Sequence, residues 1–189
     1  MGLRLKLFGC NVRKYTKKHA HQKQFVDYEH AKRILLLYES DLTESRTVID
    51  EIVRTMQADG KQADVVSYVA KKQCVSQTDA HFKMIDKKQT TCFGKPQKAL
   101  LNTIAAQKYD LIIDLTRTFC LPLQYVLLQA DAKCRVGGCV SKFGLIDMVV
   151  KPAENGEKQA KRKSPASDYE CERALLAAIL RYLKEIKMK

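Results

Sequence analysis

The sequence has no tryptophan, only four prolines and eight glycines in 189 residues, and 7% aromatic residues. A chain without tryptophan and with few aromatics is a poor stacking platform for single-stranded nucleic acid. The glycines form neither G-x-G-x-x-G nor a P-loop, so the common phosphate cradles are absent. Gly137-Gly138 reads as an isolated tight turn. No apolar run approaches the ~20 residues of a membrane span; the longest is Ala174-Leu-Leu-Ala-Ala-Ile-Leu180. No secretory signal pattern is expected in the first 30 residues, and Lys6 stands where a myristoylation signal wants Ser or Thr. Acidic residues are missing altogether from residues 1–24.

What is present is an ordinary globular composition, 46% hydrophobic and 29% charged, at a length that suits one domain. The net charge of +13 is unevenly placed. Residues 1–24 carry +7, residues 25–150 only +2, and residues 151–189 carry +4. The first of these reads as a flexible basic tail, 1–24, attached to a single domain, 25–189, whose part 25–150 is nearly neutral. Arg4, Lys6, Arg13, Lys14, Lys17, Lys18 and Lys23 are its candidate polyanion contacts, helped by Lys158, Lys161, Arg162 and Lys163. RNA or a ribonucleoprotein is the expected partner. A solubilising extension is the plain alternative, and an anionic membrane surface is a third, because Leu3, Leu5, Leu7 and Phe8 interleave with Arg4 and Lys6.

Seven scattered cysteines, none in C-x-x-C spacing, read as small core residues of a protein in a reducing, cytoplasmic compartment. His19-Ala-His21 and Cys10 lack the fixed geometry a metal needs, so neither metal nor cofactor is expected. Oligomeric state is not legible.

From residue 33 onward, strands and helices alternate. Arg33-Ile-Leu-Leu-Leu-Tyr38 is a continuous apolar run, the mark of a strand covered on both faces. A helix opened by Asp41-x-x-Glu44 and closed by Gly60 follows, then strands at 64–69 and 82–85. A helix over 97–107, a strand at 110–115 and a helix from Pro122 to Gln129 come next. Strands at 134–136 and 145–150 follow, then a mobile loop, 151–167. A final docking helix, 168–188, is capped by Ser167-x-x-Glu170 and striped by Leu175, Leu176, Ile179, Leu180, Leu183 and Ile186. The order predicts an α/β, Rossmann-like three-layer sandwich with a mostly parallel sheet, helices on both faces and a basic N-terminal extension.

In such sheets ligands collect beyond the carboxyl ends of strands where strand order reverses. A reversal between the strands at 33–38 and 110–115 would join Glu39, Ser40, Asp41 and Thr43 to Asp114, Thr116, Arg117 and Thr118. The tentative ligand set is Glu39, Ser40, Asp41, Asp114, Thr116, Arg117 and Thr118, with Arg117 beside a helix start as an anion contact. The same groups also serve as caps and ion-pair partners. Cys120 at that helix start reads as a buried spacer before it reads as a reactive thiol. No catalytic constellation is present.

The segments Lys108-Tyr-Asp-Leu-Ile-Ile-Asp-Leu-Thr, Leu121-Pro-Leu-Gln-Tyr125 and Ala132-Lys-Cys-Arg-Val-Gly137 resemble an uncharacterised bacterial family of small single-domain proteins. Arg33-Ile-Leu-Leu-Leu-Tyr-Glu-Ser-Asp41 and Phe93-Gly-Lys-Pro96 extend the likeness over most of 25–150 and the final helix. It implies the fold and no mechanism. Residues 108–137 are also distantly similar to the amino-terminal domain of heptosyltransferase-type glycosyltransferases. Those bind nucleotide-sugar mainly in a second domain for which this length leaves no room, so the likeness implies a half-fold and not the transfer reaction. The reading is a non-catalytic binding protein of unknown function acting on a polyanion. The alternative is a small enzyme or ligand-binding domain for a nucleotide or sugar phosphate.

Overall fold

A computed structural model describes residues 2–19, 21–40, 44–70, 81–139, 141–151 and 165–186, with side chains of 44–46 and 165–171 outside the description. The elements run α1 (Gly2–Lys18), β1 (Arg33–Glu39), α2 (Glu44–Ala58), β2 (Gln62–Val69), β3 (Phe82–Asp86), α3 (Lys98–Ala105), β4 (Lys108–Asp114), α4 (Leu121–Gln129), β5 (Asp131–Gly137), β6 (Met148–Val149) and α5 (Pro165–Glu185). Six strands form one sheet in the order β3-β2-β1-β4-β5-β6, and every pairing is parallel. This is the expected Rossmann-like α/β architecture.

Coverage of both faces explains why β1 reads as unbroken hydrophobics. Ile34, Leu36 and Tyr38 pack with Ile49, Ile52 and Met56 of α2 and with Leu175, Leu176, Ile179 and Leu183 of α5. Leu35 and Leu37 point the other way, into a cluster with α3, α4 and α1. Alternation along a strand thus feeds two cores. α2 ends where Gly60 takes φ 74°, a conformation a Cβ would resist.

Several boundaries differ from the sequence reading. β6 is two residues long, not six, because Asp147 turns its carboxylate onto the Arg135 amide (3.0 Å) and Leu145 is drawn into the α4 side of the core. α5 begins at Pro165, so Ser167 lies inside the helix and does not cap it. The rest of the expected mobile loop, 152–164, lies outside the described residues. Leu180 and Ile186 of the α5 stripe are only partly buried or exposed.

The largest departure is at the amino terminus. The expected tail over 1–24 is a 17-residue helix, α1, with Phe8 fully buried and Val12 nearly so. The Phe8 ring meets Tyr125 at 4.7 Å and Phe143 at 4.9 Å, both edge-on, the favoured aromatic geometry. Asn11 Nδ2 donates to the Tyr125 hydroxyl at 3.1 Å, and the Tyr15 hydroxyl to the Gln129 carbonyl at 3.3 Å. Gly9 permits this approach, since a Cβ there would stand 3.2 Å from the Phe143 ring. Beyond α1 the chain is tied down again. His21 Nε2 lies 2.9 Å from Asp147, the Gln24 amide donates to Lys133, and Val26 and Tyr28 enter the α5 side of the core. Burying Phe8 contributes roughly 1.5–3 kcal/mol, enough to hold a helix that charge density alone would leave solvated. Among the described residues no helix is long and apolar enough to cross a membrane.

Of the cysteines, Cys120 and Cys134 are buried spacers as expected, whereas Cys10, Cys92 and Cys139 are exposed. Cys74 and the side chain of Cys171 lie outside the described residues.

Candidate functional site: a cationic helix and a strand-switch crevice

Two regions concentrate the chemistry. The first is the outward side of α1. Turning 100° per residue, the helix sends Phe8, Val12 and Tyr15 toward the domain and Leu3, Leu7, Cys10, Lys14 and Lys17 away from it. Arg4, Lys6, Arg13, Lys14, Lys17 and Lys18 are all exposed, and α1 contains no acidic residue. Lys17 and Lys18 sit in the last turn, where the helix dipole favours cations. Lys23, past the helix, is exposed but lies 3.4 Å from Asp147, so an internal carboxylate already shares its charge. The loop cations Lys158, Lys161, Arg162 and Lys163 fall outside the described residues.

The second region is the crevice where strand order reverses. β1 and β4 are neighbours whose connections leave in opposite directions, β1 toward β2 and β4 toward β5. Leu37 pairs with Asp114, and the Leu115 amide donates to the Leu37 carbonyl at 2.8 Å. The reversal therefore brings Glu39, Ser40, Asp114, Thr116, Arg117 and Thr118 to one sheet end, as the sequence pattern anticipated. Asp41 and Thr43 lie outside the described residues.

The crevice groups are mostly bound to one another. Asp114 is buried and accepts from the Thr116 hydroxyl at 2.7 Å and the Thr116 amide at 3.0 Å. Burial outweighs these bonds and raises its carboxyl to about 6. The Thr118 hydroxyl donates to Glu39 at 3.4 Å, and the Ser40 amide to the Tyr68 carbonyl at 2.9 Å. Arg117 is exposed, and its carbonyl accepts from the Cys139 thiol. Cys120 stands at the N-cap of α4 without a side-chain cap bond. Burial first, and the nearby Glu39 charge second, push its thiol well above the ordinary range. That removes it as a nucleophile and supports the spacer reading.

The two regions lie close together. Arg4 of α1 and Glu39 at the crevice both act electrostatically on Tyr68. A separate groove of about 460 Å3 opens at the opposite end of the strands, lined by His21, Gln24, Lys108, Tyr109, Asp110 and Lys133 among others. Its charges are internally matched, Lys133 meeting Asp110 at 2.7 Å. Among the described residues no cluster of three His, Cys, Asp or Glu could hold a metal.

The structure brings the crevice residues to one sheet end, and the sequence reading did not anticipate that the basic residues ride on a docked helix. The signal was present, since Phe8, Val12 and Tyr15 follow i, i+4, i+7 spacing on one helical face. No curated protein is significantly similar to the chain. A family model does match residues 9–163, from within α1 to the segment before α5, and on that coverage the chain belongs to the family of unknown function DUF6913.

Proposed function

We propose that the protein is a non-catalytic binding protein whose α1 docks the domain onto a polyanion. One observation carries the reading: six exposed cations and no anion occupy a helix that is itself pinned to the core. A cation on a loose arm must be ordered on binding, at a cost of ~0.5–1.5 kcal/mol per immobilised side chain plus the backbone. A cation on a preformed helix avoids the backbone part of that cost. α1 holds six exposed basic groups and no acid, whereas residues 25–150 together carry only +2.

The test is retention on immobilised heparin, used as a generic polyanion. The wild-type chain should elute late in a salt gradient. The Arg13→Gln/Lys14→Gln/Lys17→Gln/Lys18→Gln variant should elute much earlier with an unchanged melting temperature. Equal elution of the two proteins would remove α1 as the binding element.

A second reading, a small anionic ligand in the crevice, draws support from Arg117 beside the start of α4 and from the convergence of polar side chains at the strand switch. The acidic Glu39 and Asp114 weigh against it. Thermal shift with nucleotides and sugar phosphates decides: a stabilisation that Arg117→Ala abolishes supports this reading. No shift in the wild type excludes it for those ligands.

A further inference from the structure

Cations alone do not account for the outward side of α1. Leu3 is 65% exposed and Leu7 38% exposed, although Phe8 one residue on is fully buried. The two leucines are four residues apart and so lie one above the other on the helix. Their stripe continues through Cys10 to Lys14, with Lys6, Arg13 and Lys17 on one flank and Lys18 on the other. The turn at 91–95 exposes a further apolar side chain. Phe93 is 42% exposed, and Lys95 Nζ stands 6.0 Å from the centre of the Tyr125 ring on which Phe8 packs.

We infer that the polyanion is the surface of an anionic lipid bilayer, met by α1 lying flat with Leu3 and Leu7 entering the headgroup layer. The inference rests on the polyanion reading above and deepens it. A phosphate-lined nucleic acid gives the cations a partner but leaves two aliphatic side chains with no role. The helix itself offers bases no stacking ring, since its two aromatic side chains, Phe8 and Tyr15, both face the domain. A bilayer surface satisfies both sets at once, because lipid phosphates take the lysines and arginines while the apolar stripe leaves water. The inner face of α1 is already spent on the domain, so only a narrow stripe can insert. Binding is therefore shallow, reversible and sensitive to salt.

The experiment uses the full chain with three probes: vesicles of mixed phosphatidylcholine and phosphatidylglycerol, vesicles of phosphatidylcholine alone, and a single-stranded RNA. The expected wild-type result is sedimentation with the mixed vesicles, none with phosphatidylcholine alone, and release as salt rises. The Leu3→Ser/Leu7→Ser variant should bind mixed vesicles about tenfold more weakly, since two partly inserted leucines are worth roughly the 1.4 kcal/mol of one decade. Its heparin elution and melting temperature should match the wild type, because neither leucine belongs to either core cluster. Equal vesicle affinity of variant and wild type overturns the inference, as does tight RNA binding with no vesicle binding. Both of those results leave the polyanion reading intact. Loss of that reading shows instead as unchanged heparin elution in the fourfold Gln variant.

Discussion

α1 and α5 lie on opposite faces of one sheet, and they spend their aliphatic side chains in opposite ways. α5 carries Leu175, Leu176, Ile179 and Leu183 on a stripe wide enough to cover β1 and α2, and all four are buried. α1 anchors through Phe8 and Val12, with Leu3 and Leu7 left in water and cations around them. The difference is one of pattern as well as of hydrophobic content. In α5 the apolar residues recur at steps of three and four, so they share a face. In α1 the leucines at 3, 5 and 7 alternate, and alternation on a helix scatters side chains around the axis. A helix so patterned binds its own domain with a few residues and leaves others for something else.

The comparison can be broken first at its buried points. Phe8→Ala should cost about 3–5 kcal/mol in a denaturant titration, because the ring fills a pocket between Tyr125 and Phe143. A cost near zero would return α1 to a loose arm. Ile179→Ala, the matching deletion on α5, should cost about 2–5 kcal/mol. Gly138→Ala probes the same helix from the sheet side, since a new Cβ would stand 2.7 Å from Leu175 Cδ2. Displacing that packed leucine should cost about 1–3 kcal/mol, seen as a lowered midpoint. Single Leu3→Ser and Leu7→Ser changes complete the series and should stay within about 0.5 kcal/mol of wild type.

Between the two faces, the buried Asp114 gives the stability curve a distinct pH dependence. Its carboxyl binds a proton more tightly folded, at about 6, than at the ordinary value of 3.8. The contribution is therefore present below pH 4 and lost as pH rises to 6 and beyond. Asp114→Asn should flatten that window and raise stability above pH 7 by up to about 3 kcal/mol. A wild-type curve that rises between pH 4 and 6, with no difference from the variant, would show that other carboxylates dominate.

The sheet was legible because burial on both faces forces continuous apolar runs, which few other structures need. β1 and β4 stood out for that reason, and α5 for its stripe and its length. Strand order was not legible, since a run of leucines carries no mark of its neighbour. The crevice residues could therefore be named only on condition that β1 and β4 adjoin. β6 was overread because Leu145 and Ile146 look like strand residues but serve the other core. At the amino terminus, seven cations in 24 residues dominate the pattern and mask the three-residue anchor beneath them. A charge run describes the solvent side of an element and says nothing of the side that packs.

Native-state hydrogen exchange on the α1 amides tests the central claim most directly. If α1 is a fixed part of the domain, the amides of Val12 to Thr16 should exchange as slowly as those in the middle of α5, opening only with larger unfolding. Rapid exchange throughout α1, beside protected strands β1 and β4, would mean that the cations hang on an arm and that the domain does not present them.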